Sequence, residues 1–96
     1  MIFTYEDKNL DLTKITRLYP AALVEVPNED PAQVSLEWAE LKADKINLIG
    51  YVLIFDFDPM GEPPVNRVEL RFDTREQLDS VIFEVAQQLK FLKQKN

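Results

Sequence analysis

Neither histidine nor cysteine occurs among the 96 residues. Without histidine the chain has no side chain that ordinarily titrates near neutral pH, and the commonest general base is missing. Without cysteine it has no thiol nucleophile, no disulfide and no soft thiolate ligand. Structural zinc sites of the usual kinds are excluded by the two absences together. Glycine is scarce as well, with only Gly50 and Gly61. A glycine-rich phosphate loop needs several glycines in one turn and is excluded too. No apolar run approaches the ~18 residues that span a bilayer. The segment Met1-Ile2-Phe3-Thr4-Tyr5-Glu6-Asp7 lacks the basic start and apolar core of a secretory signal. A cytoplasmic protein without a membrane partner is the expectation.

What is present is an ordinary mixture for a folded chain, 46% hydrophobic and 29% charged. The length suits one domain spanning 1–96. Such a chain buries enough surface to fold without a covalent or metal staple. Seventeen acidic residues against eleven basic ones give a formal charge of −6. Nucleic-acid surfaces carry a basic excess, and here lysines gather only at Lys90, Lys93 and Lys95, where cations complement a helix C-terminus. No nucleic-acid partner is expected.

The pattern is clearest in the last third. Val68, Leu70 and Phe72 alternate with Arg67, Glu69, Arg71 and Asp73, which predicts a half-buried strand over 66–73. Thr74 and Gln77 have the spacing of a capping box. Leu78, Val81, Ile82, Val85, Leu89 and Leu92 then recur at helical spacing, predicting a helix from Arg75 to about Leu92. The run 46–57 is apolar on both alternating sides, as in a central strand. Asp58 to Pro64 ends it, and the short connection requires the strands on either side to be antiparallel. Val34, Leu36 and Trp38 alternate with Ser35, Glu37 and Ala39, predicting another strand with Trp38 turned into the core. Val24-Glu25-Val26 reads as a strand ending at Pro27, and Ile2 to Tyr5 as an edge strand. Residues 10–19 suit a strand, or a short helix capped by Asp11, with Pro20 ending either. The expected fold is α+β: a mostly antiparallel sheet of five or six strands with one long C-terminal helix packed on it. That order of strands first and a capped helix last is similar to a pleckstrin-homology-like roll, the alternative architecture. The tryptophan characteristic of that family lies in its C-terminal helix, whereas Trp38 does not.

Phe55-Asp56-Phe57-Asp58 with Gly61 follows an apolar strand. It resembles the first motif of haloacid-dehalogenase-like phosphatases, in which one aspartate is the nucleophile, a second the acid-base group, and magnesium assists. Pro59-Met60-Gly61 replaces the family's glycine and threonine, and only one helix follows. A polar turn after a strand accounts for the same residues. Asp56, Asp58 and Glu62 offer three carboxylates to a hard cation, fewer than a dedicated oxygen site supplies, and prolines break the spacing. The serines and threonines have neither histidine nor a Ser-x-x-Lys lysine as base. No catalytic residue, metal, cofactor or small molecule is assigned.

On the helix, Phe83, Gln87 and Phe91 stand at i, i+4 and i+8 on the side away from Leu78, Val85 and Leu89. Two aligned aromatic rings on a polar face mark an interface unless another segment covers them. The expected function is therefore that of a small non-enzymatic interaction or structural protein, self-associating as a homodimer through Phe83, Gln87 and Phe91. The alternative is an acidic inhibitor or immunity-type protein binding a basic partner. A metal-assisted carboxylate hydrolase using Asp56 and Asp58 stands last.

Overall fold

The computed structural model describes the backbone of residues 2–94 and the side chains of residues 2–91. The side chains of Leu92, Lys93 and Lys95, used in the sequence reading, lie outside that range. Along the chain the elements are β1 (Ile2–Tyr5), β2 (Lys8–Asp11), a 3-10 turn (Leu12–Lys14), β3 (Arg17–Val24), β4 (Ala32–Val34), α1 (Leu36–Leu41), β5 (Leu48–Asp56), β6 (Val68–Phe72) and α2 (Arg75–Gln94). The class is α+β, with antiparallel strands and a long C-terminal helix. The strands divide into a β1–β2 hairpin and a four-stranded sheet of order β4-β3-β5-β6, every neighbouring pair antiparallel.

Alternation along β5 builds two cores. Leu53 and Phe55 face α2 and pack with Leu70 and Phe72 of β6 and with Leu78, Val81 and Val85 of the helix. The hairpin closes this core from the side by way of Phe3 and Leu10, with the Tyr5 ring edge-on to Phe72 at 5.4 Å. Val52 and Ile54 face the other way and pack with Ala21 and Leu23 of β3. Among the described residues neither helix joins this second cluster, yet Ile54 is fully buried. Side chains at the sheet margins supply the cover. Arg17 lies over the Tyr19 ring at 5.0 Å, and Arg67 approaches the same ring at 6.0 Å. Gln33 of β4 donates from Nε2 to Glu69 Oε1 of β6 at 3.1 Å, joining the two outer strands. Three strand spacings, about 14 Å, separate those strands in a flat sheet. The bond therefore requires the sheet to curl toward its helix-free face. Gly50 is the residue that permits close packing there. A Cβ at that position would stand 3.0 Å from the Phe72 carbonyl oxygen and 4.0 Å from Leu23.

Several sequence expectations are refined or revised. The six strands fall within the expected five or six, and they divide into two antiparallel sheets of two and four strands. The segment 34–38 is not one strand: β4 stops at Val34, and Ser35 caps α1, its hydroxyl accepting from the Trp38 N–H at 3.1 Å. Trp38 is consequently not a core residue but 41% exposed on the outer side of α1. Residues 10–19 hold both alternatives in succession, since Asp11 caps the 3-10 turn and β3 begins at Arg17. Pro20 does not end that strand, which continues through it to Val24. β4 pairs only with Ala22, Leu23 and Val24, so Pro20 lies where β3 has a neighbour on one side only, the setting in which strands tolerate proline.

The Trp38 correction has a measurable consequence. A core tryptophan cut to alanine costs roughly 3–5 kcal/mol. Trp38→Ala is expected to cost only about 1 kcal/mol in denaturant unfolding, because its ring already meets solvent.

Candidate functional site

The outer face of α2 begins with a well-made cap. Gln77 N–H donates to Thr74 Oγ1 at 3.2 Å, while Gln77 Oε1 accepts from the N–H groups of Asp73 at 3.0 Å and Thr74 at 3.3 Å. These bonds satisfy donors that a helix start leaves open and fix the rotation of the first turn. Leu78, Val81 and Val85 then face the core. Helical spacing turns Phe83 to the opposite side, where it is 64% exposed. Gln87 is exposed beside it, and Phe91 is 51% exposed one turn further on. The three residues singled out by spacing thus share one outward face. The hairpin lies along the flank of the helix instead of over that face, with Tyr5 beside Gln77, Ser80, Val81 and Glu84.

Charges around Phe83 are arranged by position along the helix. Arg75 Nε donates to Asp79 at 3.1 Å and its Nη1 to Glu40 of α1 at 3.4 Å, which ties the helix start to α1. The Asp79 bond and the two nearby carboxylates hold the Arg75 guanidinium above its ordinary pKa. Glu76, Ser80, Glu84 and Lys90 remain exposed around the ring.

The Asp56–Asp58 segment is built differently. Asp56 is 3% and Asp58 8% exposed. Arg67 clamps Asp56 with two bonds, Nε to Oδ1 at 2.7 Å and Nη2 to Oδ2 at 3.3 Å, and Arg17 Nε stands 4.0 Å from Oδ2. The Arg67 hydrogen bond is the main reason the Asp56 pKa lies below its ordinary value, against the opposing effect of burial. Asp58 accepts from the Asn66 backbone N–H at 2.8 Å and from its side-chain amide at 2.9 Å. The Thr16 hydroxyl lies 2.6 Å from the Asp58 carbonyl oxygen and 3.1 Å from that of Asp56. Both aspartates are therefore latches that close the loop between β5 and β6. Glu62 lies on that loop and is exposed. Among the described residues no group of three acidic side chains is placed to hold a metal ion.

Sequence reasoning missed a second apolar feature. Leu36, Ala39 and Ala43 line a groove of about 180 Å³ with Leu48, Tyr51, Glu40 and Arg75. Its signal was the i, i+3, i+7 spacing of Leu36, Ala39 and Ala43 behind a Ser35 cap, hidden by the alternation of Val34, Leu36 and Trp38. Tyr5, Tyr19 and Tyr51 each border a different depression. Among the described residues no helix is long and apolar enough to cross a membrane. No family model, curated protein or solved structure matches the chain.

Proposed function

We propose that this is a non-enzymatic interaction protein that associates with itself through the outer face of α2. The observation that carries the reading is Phe83, a large apolar ring 64% exposed at the middle of a 20-residue helix whose opposite face is core. Burying such a ring is worth roughly 1.5–3 kcal/mol, and aromatic residues are enriched where protein interfaces close. Gln87 and Phe91 extend the same face. Closed two-fold pairs are the commonest assemblies of identical chains, and a two-fold axis buries this face twice at one contact.

The test is solution mass by light scattering over a concentration series. The wild type is expected to be a dimer, and the Phe83→Glu, Phe91→Glu variant a monomer with an unchanged circular dichroism spectrum. A variant that unfolds would place the rings in the fold's own core and refute the reading, as would a wild type monomeric at every concentration. The acidic-inhibitor reading is favoured by one observation, the charge of −6. It calls for a basic partner of a different sequence, held in a heterocomplex whose affinity falls steeply with salt, whereas contact through Phe83 yields a homodimer.

A further inference from the structure

We infer that the second copy docks antiparallel, with Phe83 of one chain against Phe83 of the other and Glu76 of each opposite Lys90 of its partner. The inference rests on the self-association proposed above and adds the orientation and register of the pair. Glu76, Phe83 and Lys90 are seven residues apart, and a heptad step returns to the same side of a helix within about 20°. They therefore form one nearly straight seam, on the side opposite buried Leu78, Val81 and Val85. All three are exposed. The seam is acidic at one end, aromatic in the centre and basic at the other, with each charge about 10.5 Å from the ring along the axis.

That order is complementary to its own reverse. A two-fold axis at Phe83, perpendicular to the helices, brings the rings together and sets Glu76 level with the partner's Lys90, twice per dimer. A parallel pair would instead place Glu76 beside Glu76 and Lys90 beside Lys90, and like charges in apposition cost affinity. Neither Glu76 nor Lys90 is drawn into an ion pair within the described residues, whereas Arg75 and Asp79 neutralise each other beside the seam. Gln87 and Phe91 fall along one rim of this contact and widen it.

Charge reversal tests the register. At low ionic strength, Glu76→Lys and Lys90→Glu are each expected to raise the dimer dissociation constant about tenfold, since each turns two attractive pairs repulsive. The double variant exchanges the charges and is expected to return to within about twofold of the wild type. The cysteine-free sequence permits a second readout that does not depend on charge. In a dimer of Glu76→Cys carrying one spin label per chain, the antiparallel register separates the labels by more than about 20 Å, twice the 10.5 Å rise. A parallel pair holds them at about the interhelical spacing, roughly 10 Å. A dimer that Phe83→Glu dissolves, but that ignores the charge reversals and shows the short label distance, would overturn the register and leave the self-association standing. A wild type that never dimerises would overturn both.

Discussion

Asp56→Ala will lower the unfolding free energy by roughly 2–3 kcal/mol, although Asp56 touches no part of the proposed interface. Its side chain is 4% exposed, that of Arg67 only 27%, and the two share a pair of hydrogen bonds. Removing the carboxylate leaves a guanidinium that has lost its partner while still largely enclosed. Arg67 retains some access to water, which keeps the cost at the lower end of what breaking a buried ion pair entails. For a domain of this size that loss lowers the melting temperature by on the order of 10–20 °C. Asp56→Asn keeps one acceptor for Arg67 and should lose about half as much. The pH dependence follows from the direction of the shift. The folded-state pKa of Asp56 lies below its ordinary value, so the unfolded chain takes up the proton first as acid is added. The stabilisation is fully present above about pH 4 and drains away as the pH falls through the lowered folded-state value. Wild type and Asp56→Asn should therefore differ most near neutral pH and converge in acid. A difference that stays constant down to about pH 2 would show that the carboxylate charge does not matter.

The aspartates also mark where the sequence stops being legible. Asp-x-Asp at the end of an apolar strand is visible as a motif, but its partners are not. Arg67 and Asn66 lie beyond a loop containing three prolines, and only the antiparallel return of β6 brings them back to Asp56 and Asp58. Local patterns are legible where one element carries its own signal. The alternation of Val68, Leu70 and Phe72 and the box of Thr74 and Gln77 are examples, and the same helical phase correctly turned Phe83 and Phe91 outward. Where two periods coexist spacing alone does not choose: Leu36 and Trp38 fit a strand, Leu36 and Ala39 a helix, and the Ser35 cap decides for the helix. β2 was missed because Lys8-Asn9-Leu10-Asp11 has a single apolar residue, and a hairpin strand paired on one side needs no more than that. The division into two sheets, and the curl that joins Gln33 to Glu69, depend on contacts between distant segments and leave no mark on local spacing.

Phe55→Ala is expected to be the most damaging single truncation, costing about 4 kcal/mol. A folded chain of this length is stable by only on the order of 5–14 kcal/mol, so the variant should unfold at far lower denaturant or fail to fold at body temperature. Side-chain size alone would rank Trp38 above it. Position reverses that order, because Trp38 is 41% exposed on a six-residue helix, whereas Phe55 is fully buried on a strand with neighbours on both sides. Leu18 and Val68 stand beside Phe55 on those strands, and Leu78 and Val85 belong to the same core from the helix side. Those neighbours are anchored in β-ladders and in α2, so they cannot collapse into the space that the ring vacates, and the cavity cost adds to the lost burial. Phe55→Leu fills most of that space and should cost nearer 1 kcal/mol. The same core sets the rotation of α2 and thus the direction in which Phe83 points. Phe55→Leu should then keep the wild-type assembly state while Phe55→Ala loses it together with the fold. A Phe55→Ala protein as stable as Trp38→Ala would mean that β5 does not face α2 in the register described, and the outward direction of Phe83 would fall with it.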